Sequence, residues 1–225
     1  MSLQDRTAPE TFRAKRFPVL ETERLVLRAP RLEDAKTIAA LVNDRRIAEN
    51  TSRIPHPYAL ADAHAFLTTA NASDDQTVFL ITARADEPAS GARTSELPRW
   101  PLASLASAAR GTVLGCCGIE KRDGEQPEIG YWLGVAFWGQ GYATEAARAA
   151  IDHAFGDLGY DALQAGARVS NPASRRVLEK CAFQWTGVGL YRIRALASSA
   201  PCDRFRLDRG LWASLKSWGR VTKAL

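Results

Sequence analysis

The sequence predicts a single α/β domain in which a mixed, mostly antiparallel sheet is flanked by helices. Short apolar runs typical of strands alternate along the chain with segments of helical apolar spacing. Two of these strands, 112–119 and 128–135, are separated by a turn at Asp123 and Gly124, which favours an antiparallel hairpin. With 225 residues, 46% of them hydrophobic, the chain is long enough to bury a core as one domain.

The remaining elements follow from the same periodicities. We predict strands at 25–28, 77–82, 163–169, 183–188 and 204–207, and helices after Asp34, at 61–70, at 144–158 and from Asn171 to about 180. Asn171 followed by Pro172 is the pattern of an N-cap and a first helical proline. Gly159 is expected to end the long helix before it.

Two segments lack such patterns. Residues 1–19 are polar and are expected to form a flexible tail, which leaves 20–225 as the domain. Residues from about 84 to 110 contain three prolines and no clean period, so we interpret them as an inserted loop. We find no internal repeat.

Composition excludes several classes of function. The formal net charge of +5, from 30 basic and 25 acidic residues, is small and scattered, so nucleic-acid binding is not indicated. No apolar run approaches membrane length and no signal pattern opens the chain, so we expect a cytoplasmic protein. The four cysteines, Cys116, Cys117, Cys181 and Cys202, form no C-x-x-C pair and have no nearby histidine. We therefore expect buried, reduced thiols and no metal site.

The strongest chemical signal is the glycine-rich stretch 138–146, which lies between a strand and the long helix. Glycines let backbone N–H groups approach a ligand, and a helix N-terminus adds unpaired donors and a positive dipole end. The pattern favours an anion site sized for phosphate, although a tight turn alone also needs glycine. It matches neither the nucleotide-binding P-loop nor the dinucleotide fingerprint.

Stretch 128–146, E-I-G-Y-W-L-G-V-A-F-W-G-Q-G-Y-A-T-E-A, closely resembles the acetyl-CoA motif of the GNAT superfamily of N-acetyltransferases, in particular its RimJ/RimL-like branch, which acetylates ribosomal proteins. Segments 21–30, 171–183 and 203–212 resemble the opening strand, the asparagine-to-phenylalanine motif and the closing strand of that branch. Together they cover roughly residues 20 to 215 apart from the insert. The chain departs at Ala182, where the branch usually has glycine.

The resemblance implies acetyl-CoA as co-substrate, no metal, and a defined set of binding groups. Backbone groups near the end of the central strand would hold the pantetheine and acetyl groups, at Leu133, Gly134 and Val135. Loop amides would hold the pyrophosphate, at Gly139, Gln140, Gly141, Tyr142, Ala143 and Thr144. Asn171 would bond to the pantetheine arm, and Ser174 would face the sulfur as a catalytic group. From the residues alone, Asn171 is equally a plain helix cap and Ser174 an ordinary first-turn serine.

Glu128 is the leading candidate for the general base. It begins the central strand, near where an amine can enter, and acetyl transfer needs a neutral amine. A solvated residue beside a turn remains the alternative for Glu128. Glu120 and His64 are weaker candidates, and His153 is expected to be structural.

We expect an N-acetyltransferase that moves an acetyl group from acetyl-CoA to a primary amine by direct attack, with a protein N-terminus as the acceptor. Two alternatives stay open: a small amine acceptor, such as an aminoglycoside, polyamine or amino acid, and a sensor that binds acyl-CoA without turnover. Neither nucleic acid nor a membrane is expected as a partner. Whether the chain forms a homodimer is left open.

Overall fold

The computed structural model describes residues 17–73, 75–84, 111–121 and 124–221. Most of the predicted tail, nearly all of the predicted insert and Asp123 lie outside these ranges. Phe17, which falls within the predicted tail, packs edge-on against Phe79 with ring centroids 5.2 Å apart. Structured chain therefore precedes the first strand.

In these ranges, eight strands form one sheet in the order β1-β2-β3-β4-β5-β6-β8-β7. The strands are β1 Leu20–Glu21, β2 Leu25–Arg28, β3 Gln76–Ala83, β4 Val113–Glu120, β5 Glu128–Leu133, β6 Ala162–Arg168, β7 Gln184–Ile193 and β8 Ser198–Asp208. Every neighbouring pair is antiparallel except β5 and β6, which are parallel. The predicted mixed, mostly antiparallel sheet is confirmed.

Six α-helices accompany the sheet within the described residues. They are α1 Ala35–Val42, α2 Arg45–Ala48, α3 Leu60–Ala72, α4 Tyr142–Gly156, α5 Pro172–Lys180 and α6 Arg209–Val221. Strand β1 and helices α2 and α6 are absent from the sequence prediction. Two of the three are too short for a period to show. Helix α6 does carry an apolar stripe, with Leu211, Trp212 and Leu215 at helical spacing, and the sequence prediction overlooked it.

The helices cover both faces of the sheet. The larger apolar cluster joins one face to α4 and α5 and includes Phe79, Phe155 and Phe205, each at most 2% exposed. A second cluster joins the opposite face to α1, α2 and α3 through residues such as Ile38 and Leu67. Successive residues of a strand face opposite sides, so β3 contributes Phe79 to the first cluster and Leu80 to the second.

Two element ends differ from the prediction in a way that affects the glycine-rich loop. Strand β5 ends at Leu133 rather than 135, and a 3-10 turn, Val135–Phe137, follows it. Helix α4 begins at Tyr142 and ends at Gly156, two residues earlier at both ends than predicted. Tyr142 is 2% exposed, and the first helical turn begins directly after Gly141.

Ala182 occupies a left-handed backbone conformation, with φ +65°, at the C-terminus of α5. The turn is closed by the Phe183 N–H, which donates to the Leu178 carbonyl at 3.0 Å. The chain thus keeps the turn that glycine usually makes, at the steric cost of a β-carbon.

Replacing Ala182 with glycine is expected to raise the free energy of unfolding by about 1 kcal/mol, because a left-handed residue with a β-carbon costs about 1–2 kcal/mol and glycine's extra unfolded-state entropy offsets part of the gain. Urea denaturation measures the change. Ala65→Gly, at an exposed position inside α3, is the matched control and should lower stability by roughly 1 kcal/mol. Equal destabilisation by both substitutions would contradict the account.

Candidate functional site

A cleft opens where strands β5 and β6 part. Their only register pair is Glu128 with Gln164, whereas β5 pairs with β4 along its whole length. Beyond that pair, residues of both strands line a cavity of about 540 Å³, including Leu133 on β5 and Arg168 on β6. A parallel pair that separates in this way leaves room for an extended ligand between two strands of one sheet.

The glycine-rich loop forms one wall of this cavity. Gly139 and Gly141 both have positive φ, +76° and +85°, which side chains other than glycine rarely adopt. Gly141 is the N-cap of the 15-residue helix α4 and supplies no side-chain cap. The first amides of α4 therefore remain available to an anion, and the helix dipole favours negative charge there.

Arg24 holds this loop from behind. Its Nη1 donates to the Gln140 carbonyl at 3.0 Å, and its guanidinium lies 4.6 Å from the ring centre of Tyr142. Its Nε donates to Glu145 at 2.8 Å, and Thr22 Oγ1 donates to the same carboxylate at 2.6 Å. Burial opposes ionisation of Glu145, but these hydrogen bonds and the Arg24 charge outweigh it and lower its pKa. These contacts hold the N-terminus of α4 in place. They also pair Glu145, the acidic residue of its first turn, with the Arg24 cation.

Helix α5 supplies the opposite wall of the cavity with two basic side chains and one hydroxyl. Arg176 and Lys180 line the cavity, as does Ser174 near the start of the helix. Asn171 caps α5, because its Oδ1 accepts the Ser174 N–H at 3.1 Å. The cap uses the oxygen of Asn171 and leaves the amide nitrogen as the group that a ligand can reach.

Ser174 is paired with a tyrosine from β5. The Tyr131 hydroxyl lies 3.1 Å from Ser174 Oγ and 3.2 Å from the Ser174 carbonyl oxygen. Burial raises the pKa of the Tyr131 phenol, more than the bond with Ser174 lowers it. Tyr131 therefore stays protonated at neutral pH and can donate one hydrogen bond to Ser174. When Tyr131 donates to Oγ instead of to the Ser174 carbonyl oxygen, the Ser174 proton is free for a group in the cavity.

Glu128 lies at the other end of the cleft, where the two strands meet. A β-carbon on Gly166 would stand 3.7 Å from Glu128 Oε1, so this carboxylate extends over a glycine of β6. Tyr191 and Cys202 also line this end. Burial, followed by the negative charge of Glu128, raises the pKa of Tyr191, and burial likewise raises that of Cys202.

The structure brings most of the predicted site residues to one cavity. Those in its lining are Glu128, Leu133, Gly139, Gly141, Tyr142, Ala143, Thr144, Asn171 and Ser174. Gly134, Val135 and Gln140 are not in the lining. The Gly134 N–H donates to the Leu114 carbonyl at 2.8 Å, and the Gln140 carbonyl accepts from Arg24. A role for these three in ligand binding stays a prediction.

The weaker candidates for the general base, Glu120 and His64, lie outside the cavity lining. Glu120 forms an ion pair with Arg53, and His64 is exposed on α3, away from the cavity lining. His153 is 6% exposed and lies 2.7 Å from Asp157, which fits the structural role that was predicted. Sequence reasoning missed Arg24, Asn50 and Arg168, since nothing in their spacing marks them as neighbours of the loop or the cavity.

All four cysteines are free and buried, as predicted. Burial raises the pKa of Cys116 to about 12, so this thiol is inert at neutral pH. The described part of the chain contains no cluster of histidine, cysteine, aspartate and glutamate that could hold a metal ion. Among the same residues, no helix is both long enough and apolar enough to cross a bilayer.

A parting parallel strand pair, a glycine-capped helix N-terminus and basic residues facing them define a domain suited to a long, phosphate-bearing ligand. A sequence model described as the acetyltransferase (GNAT) domain matches residues 24–184 of this chain. The protein therefore belongs to the GNAT acetyltransferase family. Assignment to the RimJ/RimL-like branch within that family stays a proposal.

Individual relatives match a shorter part of this chain than the family model does. The chain is 37% identical to the N-acetyltransferase p20 of Bacillus licheniformis over 78 residues, which are 34% of this chain and 44% of p20. The chain thus spans less than half the length of this relative. Two solved structures share the fold: RimJ of Mycobacterium smegmatis with CoA-disulfide (TM-score 0.62, 17% identity, 82% of this chain, 81% of that one), and spermidine N-acetyltransferase of Vibrio cholerae with CoA and spermine (0.63, 16%, 84%, 98%).

Replacing Gly141 with valine is expected to abolish measurable binding of acetyl-CoA, the ligand that the resemblance implies for this loop. Valine disfavours φ +85°, and its β-carbon would lie 3.3 Å from Arg24 Nη2, so the first amides of α4 would shift. Isothermal titration calorimetry measures the affinity. Gly156→Ala, at the far end of the same helix with nothing within 4 Å, is the control and should bind normally. Unchanged affinity in Gly141→Val would remove the loop from the ligand site.

Proposed function

We propose that this protein transfers an acetyl group from acetyl-CoA to a primary amine, and that the amine is the N-terminus of a peptide or protein. The observation that carries the proposal is the single cavity that joins a glycine-capped helix N-terminus to a carboxylate through the parting of β5 and β6. One end of the cavity suits a pyrophosphate and the other suits a cationic amine that must lose a proton.

The residues fit acetyl-CoA as co-substrate on three counts. Amides at the start of α4 face the cavity with two positive-φ glycines before them, so backbone can approach phosphate oxygens closely. Arg176 and Lys180 add positive charge along the same path. Beyond Glu128 the cavity side of β5 has no partner strand, and its backbone suits the amide-bearing pantetheine arm, although the Leu133 carbonyl accepts a hydrogen bond from Trp138 Nε1 at 2.8 Å.

The chemistry needs no covalent attachment to the protein. Acetyl-CoA supplies an activated carbonyl and a thiolate leaving group, and the protein positions the amine against it. Glu128 accepts the amine proton, directly or through water, from its place at the closed end of the cleft. Ser174 donates a hydrogen bond to the departing sulfur, and Tyr131 orients the Ser174 hydroxyl from behind. A thiol of pKa about 8.5 is a fair leaving group, so one hydrogen bond is sufficient help.

A small amine is the second candidate acceptor. The similarity to the Vibrio cholerae spermidine enzyme supports it about as strongly as the similarity to RimJ supports a protein acceptor, because both share only the fold with this chain. The lining of the cavity favours the peptide: its one acidic side chain is Glu128, among the residues described, whereas a polyamine needs several.

An acceptor panel tests the proposed function directly. Purified protein and acetyl-CoA are combined with short peptides bearing free N-termini, spermidine, an aminoglycoside or free amino acids, and the release of free thiol is followed. We expect the fastest release with one of the peptides. Release that never exceeds the rate without acceptor would refute the enzyme and support a sensor, and a preference for spermidine would move the acceptor to small amines.

Substituting Ser174 with alanine is expected to lower kcat by roughly tenfold to a hundredfold, because a hydrogen bond to a charged acceptor is worth about 1.5–3 kcal/mol. Affinity for acetyl-CoA should change little. Tyr131→Phe should lower kcat by less, since it only orients the serine. The control Ser170→Ala removes an exposed hydroxyl four residues away and should leave kcat unchanged. Normal turnover in Ser174→Ala, with chemistry rate-limiting, would make Ser174 an ordinary first-turn residue.

A further inference from the structure

Two polar atoms beside the acceptor end of the cleft are buried without a hydrogen-bond partner among the described residues. They are Asn50 Oδ1, which is an acceptor, and Arg168 Nε, which is a donor. Both residues line the cavity. A buried polar group left unpaired costs about 1–3 kcal/mol, so an unpaired acceptor and an unpaired donor on two residues of the cavity lining are candidates for contact with a ligand.

Helix α2 fixes both side chains. The Asn50 Nδ2 donates to the Arg46 carbonyl at 2.8 Å, which settles which end of the amide is nitrogen and leaves Oδ1 as the unused end. The Arg168 Nη1 donates to the carbonyl of Glu49 at 2.8 Å, one residue before Asn50. Both side chains are therefore held by backbone carbonyls of the same short segment, that of Arg46 for Asn50 and that of Glu49 for Arg168.

A peptide group carries one N–H donor and one C=O acceptor, which complement these two atoms. The positions of Glu128 and Arg168 along the cleft also suit a peptide group next to the amine. Glu128 extends over Gly166, and Arg168 lies two residues further along β6 on the same face, roughly 7 Å away. In a peptide, the first peptide group follows the N-terminal amine within about one residue length, and consecutive α-carbons are about 3.8 Å apart. When the amine faces Glu128, that peptide group therefore lies on the side of the cleft where Asn50 and Arg168 are.

Charge along the cavity points the same way. Its described lining contains one acidic residue, Glu128, and three basic residues, Arg168, Arg176 and Lys180. Arg176 and Lys180 lie along the path proposed for the phosphates, so at the Glu128 end a second ammonium group would meet Arg168 and no further carboxylate of the described lining. A ligand with one amine beside a neutral peptide group avoids that repulsion and satisfies both unpaired atoms.

We propose that Asn50 and Arg168 bind the first peptide group of the acceptor, which makes them specificity-determining residues for N-terminal peptide amines. Asn50 Oδ1 accepts the peptide N–H, and Arg168 Nε donates to the peptide carbonyl. This inference rests on the proposed acetyl transfer and adds to it the part of the acceptor that is recognised. An amine without a neighbouring amide N–H is a poorer acceptor for this site.

Steady-state kinetics with a matched pair of acceptors tests the contact with Asn50. Alanine N-methylamide has the amide N–H and alanine N,N-dimethylamide lacks it, while both keep the same amine and carbonyl. We expect wild-type protein to use the N-methylamide with a kcat/KM about fivefold higher, in line with roughly 1 kcal/mol for one hydrogen bond. In Asn50→Leu the ratio of the two kcat/KM values should fall to about one. Such a fall would show that the Asn50 side chain and the amide N–H of the substrate are energetically coupled.

Controls separate this contact from a general defect. Ser52→Ala, two residues away in the same cavity lining, should keep the wild-type ratio. If Asn50→Leu does not fold, the wild-type ratio and the rate with spermidine still decide the matter. Equal use of the two amides by the wild type, or faster turnover of spermidine, would overturn the inference and leave acetyl transfer standing. Absence of turnover on every amine would instead refute the proposed function, and this inference with it.

Discussion

The parting of β5 and β6 is the constraint on which the rest of the site depends. One register pair, Glu128 with Gln164, joins the strands, and beyond it residues of both strands line the cavity instead of pairing with each other. Unpaired backbone inside a sheet is costly unless something else pairs with it. The same geometry explains why the carboxylate lies at the closed end of the cleft and the helix N-terminus at the open end.

The open end depends on charge compensation behind the loop. A carboxylate in the first turn of a helix stabilises the helix, but left uncompensated it would repel an incoming phosphate. Arg24 and Thr22 pair with Glu145 from the turn between β1 and β2, and Arg24 also holds the Gln140 carbonyl. The positive end of α4 is thereby kept for a ligand. This contact links residues 121 positions apart, which is why no local pattern reveals it.

What the sequence could predict follows from how local each signal is. The hairpin of β4 and β5, the long helix and the Asn171–Pro172 cap rest on neighbouring residues, and the structure has all of them. Ala182 differs from the glycine usual at its position, yet hydrogen bonds of the α5 C-terminus hold it in the same turn. The pairing of Tyr131 with Ser174 and the unpaired atoms of Asn50 and Arg168 arise only when distant segments meet, so the sequence alone could not show them.

The central claim is that one continuous cleft holds the donor along β5 and the start of α4. A crystal structure of the protein with CoA tests it most directly. The account predicts pyrophosphate oxygens within hydrogen-bond distance of backbone amides between Gly139 and Thr144, with the pantetheine arm between β5 and β6 and the sulfur beside Ser174. A CoA molecule whose pyrophosphate lies elsewhere, or whose pantetheine arm leaves the two strands unfilled, would contradict it.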